Sequence, residues 1–256
     1  MIKVENITKI FGENTVLKGV SAQFEKGKTN LIIGQSGSGK TVFLKCLLGL
    51  FQPTTGRILY EDKDSSKLTT AELQFLRNDI GMVFQGSALF DSMTIFENVR
   101  FPLEMFMNQS NSEMDDRVSE VLKRVNLEKA HSKFPSEASG GMQKRVAIAR
   151  AIVHNPKYLF CDEPNSGLDP QTSGLIDELL KEITEEYNTT TVINTHDMNS
   201  VMEIGEKIIF LKDGLLEWEG TKNEILTADN KHVIDFVYSS KLFKTMRQGM
   251  LEDLKK

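Results

Sequence analysis

What this chain lacks narrows it first. Of its 256 residues only two are cysteines, Cys46 and Cys161, both set in apolar runs, with no CxxC spacing and no histidine placed to complete a metal site. That speaks against a disulfide framework or a structural zinc site, and the two thiols read as core residues of a reducing compartment. No apolar run approaches the roughly 20 residues that cross a bilayer. The first residues alternate like a strand and do not resemble a signal sequence, so a cytosolic chain is expected, with any membrane role supplied by a partner. There is no basic excess either: the net charge is −5 with 26% charged residues, which leaves no field to steer the molecule onto nucleic acid. Internal repeats and low-complexity tracts are also missing.

What is present is an alternation of strand and helix patterns. Ile2, Val4 and Ile7 alternate with polar residues, and residues 16–24 form a second apolar segment before Glu25-Lys26-Gly27, which predicts an antiparallel edge. Leu31-Ile32-Ile33 reads as a buried strand leading into a glycine loop and then a helix over 42–48 that is apolar nearly all round, ended by Gln52-Pro53-Thr54-Thr55-Gly56. Residues 80–84 predict another core strand. Over 86–150 the periodicity turns helical, with a break expected at Pro102, and this span reads as a helical subdomain inserted into the core. Strand patterns at 158–161, 190–195 and 208–211, separated by helices near 172–187 and 198–204, predict a mainly parallel sheet covered on both faces, hence an α/β fold. Asp213-Gly214 marks a hairpin. The division expected is a nucleotide-binding domain over 1–220 and a C-terminal helical extension over 221–256. Thr221 and Glu224 have capping-box spacing there, and Leu242, Met246, Met250 and Leu254 recur every four residues.

The chemistry sits at strand ends. Gly34-Gln35-Ser36-Gly37-Ser38-Gly39-Lys40-Thr41 follows a strand and opens a helix, the context in which backbone N–H groups wrap a phosphate. Lys40 is placed to reach the β and γ phosphates and Thr41 to ligate Mg²⁺. In Tyr158-Leu159-Phe160-Cys161-Asp162-Glu163 an apolar run ends in two carboxylates. At the C-terminal edge of a parallel strand, Asp162 suits the Mg²⁺ shell and Glu163 suits a general base that polarises the attacking water. His196, just after the 190–195 strand, is placed to bond the γ-phosphate and hold that water and Glu163 in register. Gln85, at the end of the 80–84 strand, can touch Mg²⁺ or water and report on the helical insertion. His131, His154 and His232 lack such a context. Ser139-Gly140-Gly141-Met142 opens a second helix about a hundred residues after the first loop and offers a second phosphate-seeking N-terminus.

In order, these pieces resemble the ATP-binding subunit of an ABC transporter over about residues 1–220: Walker A at 34–41, Q-loop Gln85, signature Ser139-Gly140-Gly141, Walker B through Asp162 with Glu163, D-loop Ser166-Gly167-Leu168-Asp169 and switch His196. The resemblance implies a P-loop NTPase core, Mg²⁺-dependent ATP hydrolysis, and Phe11 as the aromatic that stacks on adenine. It implies a head-to-tail homodimer in which each ATP lies between one subunit's 34–41 loop and the other's Ser139-Gly140-Gly141, with Asp169 also at the nucleotide. Integral membrane permease subunits then hold the dimer at the cytoplasmic face of an inner membrane. Ala138 and Met142 depart from the family's usual Leu-Ser-Gly-Gly-Gln, and a thioether at 142 cannot make the polar ribose contact. The string Phe134-Pro135-Ser136-Glu137-Ala138-Ser139-Gly140-Gly141-Met142-Gln143-Lys144-Arg145-Val146, with residues 85–94 and Glu97-Asn98-Val99, is similar to the ATPases of Mla/Mce-type phospholipid transporters of Gram-negative bacteria. That implies Mce-domain lipid-binding and small STAS-domain partners. The alternatives are an ABC transporter for another substrate, and a soluble non-transport ABC ATPase. The second would call for two cassettes or a long coiled coil, and the chain has neither. A GTPase is disfavoured by the lack of Asn-Lys-x-Asp.

Overall fold

The computed structural model describes residues 1–238. In chain order it begins with β1 (Ile2–Phe11), β2 (Asn14–Phe24), β3 (Thr29–Ile33), α1 (Lys40–Leu47), β4 (Thr55–Tyr60), β5 (Lys63–Asp64), α2 (Thr70–Asn78) and β6 (Ile80–Val83). Next come α3 (Ile95–Phe106), α4 (Asn111–Arg124), α5 (Gly140–Ile152), β7 (Tyr158–Asp162), α6 (Pro170–Tyr187) and β8 (Thr190–Thr195). The described chain closes with α7 (Met198–Ile204), β9 (Lys207–Lys212), β10 (Leu215–Gly220), α8 (Lys222–Leu226) and α9 (Lys231–Val237).

The strands form two sheets, ordered β2-β1-β4-β5 and β10-β9-β3-β8-β7-β6. In the second, β3, β8, β9, β7 and β6 run parallel, and only the β9-β10 hairpin is antiparallel. The α/β expectation holds. The hairpin turns through Asp213 and Gly214, both at positive φ (50° and 80°), as the Asp-Gly pair requires.

Continuous apolar runs make sense here because the central strands are buried on both faces. Leu31 and Ile33 of β3 join the core shared with α3–α7 and α9, while Ile32 joins a second core shared with β1, β2, β4 and α1. In β7, Leu159 and Cys161 face the first core, Tyr158 and Phe160 the second.

The fold departs from the sequence reading in two places. The antiparallel edge is a separate four-stranded sheet, and its β4, β5 and the nearby α2 lie in a stretch whose composition gave no strong period. Pro102 does not break its helix: α3 runs through it. The proline removes one donor, but Ile95, Val99 and Leu103 on the same face stay buried in the core and hold the helix in line. Residues 221–238 pack into the domain, with Val233 and Val237 fully buried and the Phe236 ring 5.3 Å from Phe210 of β9. The Thr221 capping box is present. Leu242, Met246, Met250 and Leu254 lie outside the described residues.

Candidate active site

Parallel topology brings the ends of β3, β6, β7 and β8 to one edge, so residues 34–41, Gln85, Asp162-Glu163 and His196 converge there. Gln35, Ser36, Gly37, Gly39, Lys40, Thr41, Gln85, Glu163 and His196 line a single cleft of about 630 Å³, with Val16, Val42 and Phe236 completing its wall.

The phosphate loop is built around glycine. Gly34 has φ +150° and packs so closely on β9 that a Cβ would stand 2.2 Å from the Leu211 carbonyl oxygen. Gly39, at φ 102°, is the N-cap of α1 and offers no side chain to the helix N–H groups, which stay available to an anion. Lys40 is buried and stretches back over the loop, its Nζ donating to the carbonyls of Gly34 at 2.8 Å and Gln35 at 3.1 Å. Burial draws its pKa down, against the pull of Glu163 and Asp162. Ser38 Oγ is buried with no partner among the described residues, a polar atom left for a ligand.

The acidic end of β7 is held from β8. Asn194 Nδ2 donates to Asp162 Oδ1 and lies 3.4 Å from Thr41 Oγ1, so one amide spaces the two groups expected at Mg²⁺. Burial raises the Asp162 pKa, and the Asn194 bond opposes that shift. Among the described residues no three His, Cys, Asp or Glu side chains are grouped to hold a metal alone. Thr41, Asp162 and Gln85 instead suit Mg²⁺, which keeps several waters and takes the rest of its oxygens from nucleotide phosphates.

Glu163 takes a left-handed backbone, φ 48°, unusual for a residue with a side chain. Its N–H donates to the Asn194 carbonyl at 2.9 Å, which fixes the turn. Its Oε1 is 2.8 Å from His196 Nδ1, so the two side chains are already paired. Gln85 Nε2 donates to Ser166 Oγ at 3.3 Å, in the turn that follows Glu163.

The second predicted phosphate end is elsewhere. Ser139, Gly140, Gly141 and Asp169 line a separate cleft of about 510 Å³ with Arg124, Arg145 and Thr172. Ser139 is the N-cap of α5, its Oγ accepting from Met142 N at 3.3 Å, so its own proton is free to donate. Asp169 caps α6, accepting from Thr172 N at 3.0 Å. Neither group reaches the first cleft of its own subunit, which is the arrangement a half-site requires.

Phe11 is not among the residues lining the 34–41 cleft. It is 41% exposed, packs edge-on to Phe51 at 5.3 Å and lies under the Lys9 ammonium at 4.8 Å. The sequence reading missed Val16, Asn194 and Phe236. Asn194 could have been noticed as an amide one residue before the end of the strand that leads into His196, whereas Val16 and Phe236 reach the cleft only through tertiary packing.

The sequence matches the ABC transporter family over residues 17–166. The methionine import ATP-binding protein MetN of Haemophilus influenzae is 37% identical over 99% of this chain and 74% of its own length. The probable ribonucleotide transport ATP-binding protein mkl of Mycobacterium leprae is 37% identical over 92% of this chain and 68% of its own. Among solved structures, the dimeric ATP-binding cassette MJ0796 in a post-hydrolysis state with ADP and Pi has a TM-score of 0.78 and 39% identity, covering 87% of this chain and 99% of that one. CbiO1 from Clostridium perfringens, part of the ABC transporter complex cbiONQ, has a TM-score of 0.83 and 30% identity over 96% and 98%. The relatives' names do not support the phospholipid cargo, nor the Mce-domain and STAS-domain partners that go with it. Fold, ordered motifs and relatives agree on the rest: the chain belongs to the ABC transporter family and is one of its ATP-hydrolysing, ATP-binding subunits.

Proposed function

We propose that two copies of this chain, docked on permease subunits at the cytoplasmic face of a membrane, use ATP to drive transport of a substrate other than phospholipid, with methionine import the cargo class that the relatives' names support. The observation that carries the motor reading is the separation of the two half-sites on one subunit. The 34–41 loop with Glu163 and His196 lines one cleft, and Ser139-Gly140-Gly141 with Asp169 lines another. Each half-site completes the other only across a dimer. Among the described residues no helix is long and apolar enough to cross a membrane.

When bound, Mg²⁺ neutralises phosphate charge, and Thr41, Asp162 and Gln85 are the residues to hold it. Lys40 exchanges its loop carbonyls for phosphate oxygens, Glu163 accepts the water's proton, and His196 keeps Glu163 aimed. Closing the dimer brings the Ser139 hydroxyl and the α5 N–H groups onto the partner's nucleotide. Phe11, with an exposed ring face, is the residue proposed to stack on adenine.

A second reading, phospholipid transport, rests on Met142 and the residues around it. Deleting the gene and measuring both labelled methionine uptake and outer-leaflet phospholipid separates the two. Lost uptake with unchanged lipid supports the first reading, and a changed lipid distribution with normal uptake supports the second.

A further inference from the structure

Helix α5 opens with the Ser139 half-site and, further along, carries two cations turned away from solvent. Lys144 is 5% exposed and Arg150 9%. A buried charge is costly unless it is hydrogen-bonded, and here the partners are main-chain carbonyls of one short loop. Lys144 Nζ donates to the Gln85 carbonyl. Arg150 donates through Nη2 to Ser87 O at 2.7 Å and through Nη1 to Ala88 O at 2.8 Å. Within residues 85–88, three of four carbonyls are therefore gripped from α5.

The loop is one that needs holding. Ser87 and Ala88 are consecutive non-glycine residues at positive φ, 61° and 49°, a conformation that residues with a Cβ avoid unless their surroundings impose it. Gln85, at the start of this loop, lines the nucleotide cleft and bonds Ser166 in the turn beyond Glu163. The helix whose N-terminus serves the neighbouring subunit's nucleotide is thus fastened to the loop that places Gln85 at the subunit's own.

We propose that Lys144 and Arg150 are positioning residues that join the Ser139 half-site to Gln85 as one unit, so that engagement of the partner's nucleotide sets Gln85 in place for hydrolysis of its own. The proposal rests on ATP hydrolysis by a paired chain and is independent of the transported substrate.

The test is a double-mutant cycle on the full chain. Lys144→Met removes the ammonium while filling its volume, and Lys144→Arg keeps a cation. In the parent background Lys144→Met is expected to lower kcat about tenfold with KM for ATP changed less than about twofold, since displacing a positioned group mainly costs turnover. The Hill coefficient for ATP falls toward about one as the two sites uncouple. In a Gln85→Ala background the same substitution lowers kcat less than about twofold, because its effect passes through Gln85. Lys144→Arg recovers most of the parent rate. Equal fold-losses in both backgrounds, or an unchanged kcat in the parent, overturn the proposal. Glu163→Gln, assayed alongside, tests the hydrolytic site separately, so the two claims fail independently.

Discussion

Asp177 is 2% exposed and held by neutral groups, accepting from Asn165 Nδ2 at 2.7 Å and from the Ser200 hydroxyl. Burial pushes its pKa up to about 6, from an ordinary value of 3.8, and Glu203 and Asp197 push the same way. An acid whose folded pKa is raised binds more protons folded than unfolded between those two values, so its contribution to stability falls as pH rises from about 4 to about 6 and is flat above. Asp177→Asn keeps an acceptor for Asn165 and a donor for Ser200 without the charge. Its melting temperature is expected to match the parent's near pH 4 and to exceed it increasingly up to about pH 6, with a plateau worth on the order of 2–3 kcal/mol. Thermal melts across that range check it, and a constant difference at all pH values contradicts it. Met142 is a second residue-scale case. Met142→Gln restores an amide at the Ser139 half-site and is expected to lower KM for ATP a few-fold, on the order of one hydrogen bond, with little change in kcat in a steady-state assay. The glycine loop, Glu163 and His196 that share one cleft were legible from the sequence, because glycine spacing and strand-end polar residues are local signals. Asn165, Asp177 and Ser200 were not, because a polar residue on a buried face looks like any other in a one-dimensional pattern.

Among the elements, the α1 and α5 N-termini differ in how they are finished, and the difference follows their tasks. Helices α2, α3, α4 and α8 begin with Thr69, Thr94, Ser110 and Thr221, each paired with a glutamate three residues into the helix. These boxes satisfy the first N–H groups internally. Helix α1 begins at Gly39 with no side-chain cap, leaving its N–H groups to phosphate. The loop before it is equally committed to glycine. Gly34→Ala would put a Cβ 2.2 Å from Leu211 O at φ +150°, so the β3–β9 junction must open. A loss of roughly 2–4 kcal/mol is expected from strain and clash together, seen as a lower urea midpoint. An unchanged midpoint would mean the loop tolerates a side chain. Strands buried on both faces were readable as short apolar runs, and the long amphipathic helices from their period. Helix α3 was misread at Pro102 because its burial outweighs one missing hydrogen bond, and β4, β5 and α2 were missed because short or half-exposed elements carry little periodic signal.

At the scale of the whole molecule, one subunit carries two separate clefts, and in the proposed pair each is completed by the same partner copy. Order along the chain points the same way, since a second glycine pair opening a second helix is redundant within one site. The cargo was less accessible, because the motifs that carry the family resemblance are those of ATP binding and hydrolysis and none of them reads a transported substrate. Glu163, paired with His196 at 2.8 Å, is the base in the proposed mechanism, and ATP closes two copies head to tail. Glu163→Gln should therefore bind ATP, hydrolyse it at least about 100-fold more slowly, and accumulate as a closed dimer, at twice the subunit mass by light scattering with ATP and at the subunit mass without it. Hydrolysis at the parental rate would rule out Glu163 as the base, and a mass that does not respond to ATP would rule out closure of two copies.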